Sequence, residues 1–135
     1  MKDSKFRSER ERESFIKTVE ELKSRAVIVE GKKDVIALES LGIHNIIPLN
    51  NTPLARFTQR IAEQVNGDVK EPGCRNKAQS EREVIILTDF DKEGRKLEKK
   101  LQALLTSYKV RTNRRLRRIL MGFGKGRIEE FKDMI

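Results

Sequence analysis

Val84–Leu97 reads VIILTDFDKEGRKL. Val84–Thr88 is apolar without alternation and rich in β-branched residues, which predicts a short strand buried on both faces. Asp89 and Asp91 stand at its carboxyl end, and Gly94 follows. Leu97, Leu101, Leu104 and Leu105 then recur on one side of an amphipathic helix. A strand running into such a helix is the unit from which parallel sheets are built, and ligands of open parallel sheets sit beyond the carboxyl ends of the strands. Side chains two apart on an extended chain point the same way, so both carboxylates are expected to face one point. Two such groups repel unless a cation lies between them. Mg²⁺ takes few carboxylates and leaves its other positions to water and phosphate. Read alone, Asp91 equally suits the cap of a helix starting at Lys92, and Asp89 an ordinary turn.

The arrangement recurs upstream. AVIVE, Ala26–Glu30, is a second apolar strand ending in an acid. Gly31 follows, then a helix over about Lys33–Leu41 that Gly42 should stop. Three acids, Glu30, Asp89 and Asp91, therefore occupy the ends of two strands that a parallel sheet can bring together. Ile46–Leu49 predicts another short strand. Asn51 or Thr52 can cap the next helix, with Pro53 in its first turn and an apolar face of Leu54, Phe57, Ile61 and Val65. Near the start, Ser8 and Glu11 have capping-box spacing, and Phe15, Val19 and Leu22 share a face. They predict a helix from about Glu9 to Ser24 whose charged first turns extend into solvent.

Asn66–Glu83 shows no period and is long for a loop inside a compact domain. Its Arg75 and Lys77 read as solubilising residues or as cations closing over a substrate. Tyr108–Arg111 is expected to form a fourth strand, with Tyr108 at the sheet edge. TNRRLRRILMG predicts a helix ending near Gly122, and GRIEEFKDMI fits either a strand or a short helix. The expected fold class is α/β, a central parallel sheet of about four strands flanked by helices. A charged N-terminal helix occupies 1–24 and the main body 25–111. The basic helix and tail of 112–135 complete the same domain.

The 135 residues suffice for one domain, and a net charge of +9 points to a polyanionic partner, nucleic acid first. Aromatics are 5% and tryptophan is absent, so base stacking is not expected to dominate binding. Cys74 and His44 are single, which leaves disulfides, Cys/His zinc sites and a serine triad poorly supplied. No apolar stretch reaches membrane-spanning length and the N-terminus has no signal-peptide core, so a cytoplasmic protein is expected. Arg111, Arg114, Arg115 and Arg118 share a helical side, with Leu116, Ile119 and Leu120 as the apolar edge. This outer face suits phosphates. Arg56 and Arg60, four apart, could extend it or merely be solvated. Lys32 and Lys33 flank Glu30 as phosphate contacts or as counter-charges. GFGKG, Gly122–Gly126, lacks the spacing of a nucleotide-binding loop and reads as a turn.

EGKKD, Glu30–Asp34, together with TDFDKEG, Thr88–Gly94, resembles the signature of the Toprim fold over about Arg25–Arg111. That family includes topoisomerase and primase catalytic domains, recombination proteins, old-family nucleases and the 5S ribosomal-RNA maturase. The chain most resembles the small stand-alone members and the maturase's Toprim domain. The resemblance implies a Rossmann-like Toprim fold, Mg²⁺ (with Mn²⁺ as a substitute) at Asp89 and Asp91, and Glu30 as metal-positioning group or general acid–base. Gly94 takes the place of the helix-entry glycine, and Gly31 that of the glycine after the glutamate. Arg95 departs from the pattern, because many relatives carry an acid there. Its charge removes a ligand for a second metal and adds a cation beside the site.

The implied activity is a Mg²⁺-dependent nuclease acting on structured RNA or DNA, with ribosomal-RNA processing as one form. Lys33, Arg95, Arg111, Arg114, Arg115 and Arg118 are the candidate nucleic-acid contacts, and a further protein is expected to supply specificity. The rival reading is a Toprim module that binds without cutting. An aspartyl phosphatase fits less well, since its acid pair follows the first strand. A primase would need a zinc domain. With Tyr108 assigned to the sheet edge, covalent strand passage is not expected.

Overall fold

The computed structural model describes residues 6–67 and 83–135. Arg75, Lys77, Cys74 and nearly all of the expected loop Asn66–Glu83 lie outside the described residues. The elements are α1 (Glu9–Leu22), β1 (Ala26–Val29), α2 (Lys32–Glu39), β2 (Ile46–Pro48), α3 (Leu54–Gly67), β3 (Val84–Ile86), α4 (Lys92–Ser107), α5 (Arg115–Met121) and a closing 3₁₀ turn, Ile128–Phe131.

The strands form one parallel sheet in the order β2-β1-β3. β1 pairs Val27, Ile28 and Val29 with Ile46, Ile47 and Pro48, and Ala26, Val27 and Ile28 with Val84, Ile85 and Ile86. Pro48, which has no N–H to donate, is tolerated because β2 is an edge. The expected fourth strand is reduced to a single parallel bridge between Val84 and Thr112. The chain is turned there by Lys109 in the left-handed region, φ 61°, and α5 begins three residues after Thr112. Tyr108 sits at the α4 C-cap and is 41% exposed.

Unalternating strands follow from burial on both faces. Val27, Val29, Ile85 and Leu87 pack with Phe15, Val19 and Leu22 of α1, Leu116 and Leu120 of α5, and Ile128 and Phe131 of the tail. Ile28, Val84 and Ile86 pack on the other side with Phe57 and Ile61 of α3 and Leu101 and Leu105 of α4. Each fully buried side chain of this size contributes roughly 1.5–3 kcal/mol. The N-terminal helix is therefore part of the core. Its exposed first turns are capped by Ser8 Oγ, which accepts from Glu11 N at 3.1 Å, while Glu11 Oε1 accepts from Arg7 N at 2.8 Å. Gly42 stops the α2 segment with φ +89°, a value that favours glycine. The ambiguous C-terminus is a 3₁₀ turn. Its Phe131 stacks on Phe15 and meets Phe90 edge-on, tying both chain ends to the Asp89 loop.

Candidate metal centre

β1 and β3 are parallel neighbours, so their carboxyl ends lie side by side. Leu87 N donates to Ile28 O at 2.7 Å, and two residues further along each chain Glu30 Oε2 accepts from Asp89 N at 2.8 Å. Asp89 Oδ1 accepts from Ile128 N at 2.9 Å, so the tail fixes the second carboxylate. Among the described residues, Glu30 Oε1 and Asp89 Oδ2 have no hydrogen-bond partner.

A third carboxyl adjoins this pair. Asp34, in the first turn of α2, is buried, and its Oδ2 accepts from Gly31 N at 3.3 Å. Burial chiefly, then the charges of Asp89 and Glu30, push its pKa up from 3.8 to about 6, against the lowering effect of the Gly31 N–H. Glu30, Asp34 and Asp89 share an open cleft with Lys32, Lys33 and Arg127.

Asp91 is placed differently. It is exposed, and its Oδ1 caps α4 by accepting from Gly94 N at 2.8 Å. The β-strand ends at Ile86, so the two-residue alternation does not carry through Phe90, which turns inward against Arg117 and Phe131. Asp91 does not line the cleft that holds Glu30 and Asp89.

Gly94 is required by contact. A Cβ there would lie 2.0 Å from the Asp89 carbonyl oxygen, inside the space occupied by the backbone. Thr88 Oγ1 donates to Gly94 O at 2.7 Å and closes the same loop. A Cβ on Gly31 would meet nothing within 4 Å.

Behind the loop lies Arg117, 2% exposed. Its Nη1 donates to Ile86 O at 3.1 Å, Thr88 O at 2.8 Å and Thr88 Oγ1 at 3.2 Å, and its Nη2 to Asp89 O at 2.9 Å. Burial lowers its pKa, and the neighbouring Glu98 works in the opposite direction. Glu98, also 2% exposed, approaches Arg117 Nε at 3.6 Å and pairs with Arg114 Nε at 2.8 Å.

The arginine run is thus divided. Arg114 and Arg117 hold Glu98, Arg115 pairs with Glu21 of α1, and Arg118 and Arg95 face a groove between α4 and α5. Arg111 lies beside the bridge at Val84, because α5 starts only at Arg115. Lys33 alone of the candidate cationic contacts lines the carboxylate cleft. Asp34, Arg117 and Glu98 were not singled out by sequence reasoning. Glu98 carried a signal, three residues before Leu101 and seven before Leu105 on the apolar face of α4. Asp34 carried one too, three residues after Gly31 at capping-box spacing. Nothing in RRLRR distinguishes Arg117.

The donor set fits a sparsely held divalent ion. Mg²⁺ is commonly bound by one or two carboxylates plus water, and Glu30 and Asp89 offer one unengaged oxygen each. Among the described residues no three histidine, cysteine or carboxylate side chains are grouped to enclose an ion. Water and phosphate would have to complete the shell.

The Toprim domain model matches residues 25–119. A UPF0292 protein of Thermococcus gammatolerans is 35% identical over 123 residues, covering 89% of this chain and 80% of that protein. The UPF0292 protein MJ1624 of Methanocaldococcus jannaschii is 31% identical over 127 residues, covering 90% and 88%. A solved structure of a protein from Aquifex aeolicus superposes with a TM-score of 0.65 at 26% identity, covering 84% of this chain and 94% of that one.

Proposed function

The chain belongs to the Toprim family, and from that premise we propose a Mg²⁺-dependent phosphodiesterase that cleaves structured RNA or DNA. Toprim domains are associated with nucleic acids and generally bind Mg²⁺. No helix of the described residues is long and apolar enough to cross a membrane. The observation that carries the catalytic reading is the meeting of Glu30 and Asp89, 59 residues apart in sequence, through the 2.8 Å hydrogen bond.

In this reading Glu30 and Asp89 hold the ion, with Asp91 contributing through the oxygen not engaged in its cap. Mg²⁺ bound there would stabilise the charge that builds on a phosphodiester under attack. Glu30, tied to the Asp89 N–H, orients the pair. Lys32, Lys33 and Arg127 at the cleft rim attract the phosphate. Arg117 keeps the Asp89 loop in place from below. A cation between Glu30 and Asp89 would also relieve the repulsion that raises Asp34. A cytoplasmic location and a protein partner that selects the substrate complete the reading.

The alternative is a Toprim module that binds nucleic acid without cutting. The capping role of Asp91 and the absence of an enclosed three-ligand group among the described residues favour it. Labelled structured RNA and duplex DNA incubated with Mg²⁺ separate the two. Products that require Mg²⁺ and disappear in Glu30→Gln and Asp89→Asn are expected of the enzyme. Tight binding with no product on any substrate would establish the module instead.

A further inference from the structure

A second cavity lies between α4 and α5. Its floor is the buried Glu98 carboxylate with Arg114 and Arg117 bound to it. Its walls are Lys92, Arg95, Lys96 and Lys99 from α4 and Arg118 from α5. The five wall residues are all exposed. Among the described residues none of them has a carboxylate at ion-pairing distance, whereas Arg114, Arg115 and Arg117 all do.

The spacing matters as much as the charge. Lys92, Lys96 and Lys99, with Arg95 between, follow one face of α4 over about 10 Å of helix axis. Lys92–Lys96 and Arg95–Lys99 are like-charge pairs at i,i+4, an arrangement that destabilises an isolated helix. Charges placed only for solubility could be scattered to avoid that repulsion. A row of phosphates lying along the groove would remove it. Several cations in a line suit successive charges on a polymer better than one compact ion. Among the described residues no aromatic side chain lines the groove, so contact there would be to backbone phosphates and carry no base preference.

The groove and the carboxylate cleft share no lining residue, but both abut the Asp89 loop. Arg117, on its floor, donates to Asp89 O at 2.9 Å, and Asp91 caps the helix whose first residue is Lys92. We propose that the α4–α5 groove carries the sugar–phosphate backbone of a nucleic-acid strand and leads it to the Asp89 loop. The inference rests on the nucleic-acid reading above, and adds to it where the strand runs.

The test is fluorescence anisotropy of the full chain with labelled single-stranded RNA, single-stranded DNA and duplex DNA over a salt series. The groove variant is Lys96→Gln/Lys99→Gln/Arg118→Gln. The control, Arg10→Gln/Arg12→Gln/Lys17→Gln on α1, removes the same charge elsewhere. A charge-retaining variant, Lys96→Arg/Lys99→Arg/Arg118→Lys, guards against misfolding. The groove variant should weaken binding by one to two orders of magnitude and flatten log K against log salt by about two slope units, at roughly 0.7–0.9 per lost phosphate. The control should lose less than about one unit, and the charge-retaining variant should bind like wild type. Equal losses in groove and control variants, with wild type binding well, would overturn the groove alone. A wild type with no salt-dependent affinity for any of the three polymers would overturn the nucleic-acid reading and the groove together.

Discussion

Arg117 reaches from α5 to the carbonyl oxygen of Asp89 at 2.9 Å, placing a buried cation directly beneath the loop that carries the candidate metal ligand. The same guanidinium satisfies Ile86 O and Thr88 O and faces Glu98. Arg117→Met should cost about 3–5 kcal/mol, because Glu98 loses one of its two cations and the carbonyls lose their donor. The double variant Arg117→Met/Glu98→Met should be more stable than Arg117→Met alone, since no buried charge is then left short of a partner. Urea denaturation of both reads this directly. A double variant as unstable as the summed single losses would dissolve the network.

Gly94 and Gly31 make a matched pair. Gly94→Ala forces a Cβ into the Asp89 carbonyl, so the loop must move. A loss of roughly 1–3 kcal/mol or more is expected, together with weakened Mg²⁺ binding. Gly31→Ala meets open space with an extended backbone, φ −157°, and should cost under about 1 kcal/mol. Thermal unfolding of the two variants that ranked them in the opposite order would contradict the contact.

Asp34 should make stability depend on pH. Its folded pKa of about 6 exceeds 3.8, so the folded state holds the proton more tightly than the unfolded chain. That contribution is complete below about pH 3.8 and is lost as pH rises through about 6. Its size is on the order of 2–3 kcal/mol. Asp34→Asn keeps an acceptor for Gly31 N and removes the charge, so it should be the more stable protein at pH 7.5 and lose this part of the slope. Mg²⁺ should lower the Asp34 pKa, which NMR titration can follow. Identical stability–pH curves for wild type and Asp34→Asn would reject the assignment.

Calorimetric titration with Mg²⁺ separates the roles of the acids. Glu30→Gln and Asp89→Asn keep their acceptors for Asp89 N and Ile128 N, so they should fold normally and bind Mg²⁺ at least about tenfold more weakly. Asparagine caps a helix as well as aspartate. Asp91→Asn should therefore keep its stability and weaken Mg²⁺ binding less than Asp89→Asn does. If Asp91→Asn had the largest effect, the ion would have to sit nearer Asp91 than the cleft between Glu30 and Asp89.

Much of the molecule was legible in order along the chain. The uninterrupted apolar runs at Ala26–Val29 and Val84–Thr88 announced strands covered on both sides. The leucine spacing of α4 and the Ser8 cap of α1 were equally plain, because each depends on neighbours within a few residues. The EGKKD and TDFDKEG motifs put Glu30, Asp89 and Asp91 at the ends of two strands; the parallel register joins Glu30 to Asp89, while Asp91 caps α4 instead. The fourth strand was misread because Tyr108–Arg111 has strand-like composition, while the backbone turn at Lys109 leaves only the Thr112 bridge.

What the sequence determined by itself was most of the elements, the parallel α/β architecture and the three acids at the ends of two strands, since hydrophobic period and strand-end position are local properties of the chain. Only the tertiary structure decided which charges are used and for what. It paired Arg117 with Glu98, Arg115 with Glu21 and Asp91 with its own helix, and it left Lys92, Arg95, Lys96, Lys99 and Arg118 to face a groove. The reason is that a charged side chain's partner is set by which distant segments pack against it, and a run such as RRLRR carries no record of where Glu98, Glu21 or the Asp89 carbonyl will lie.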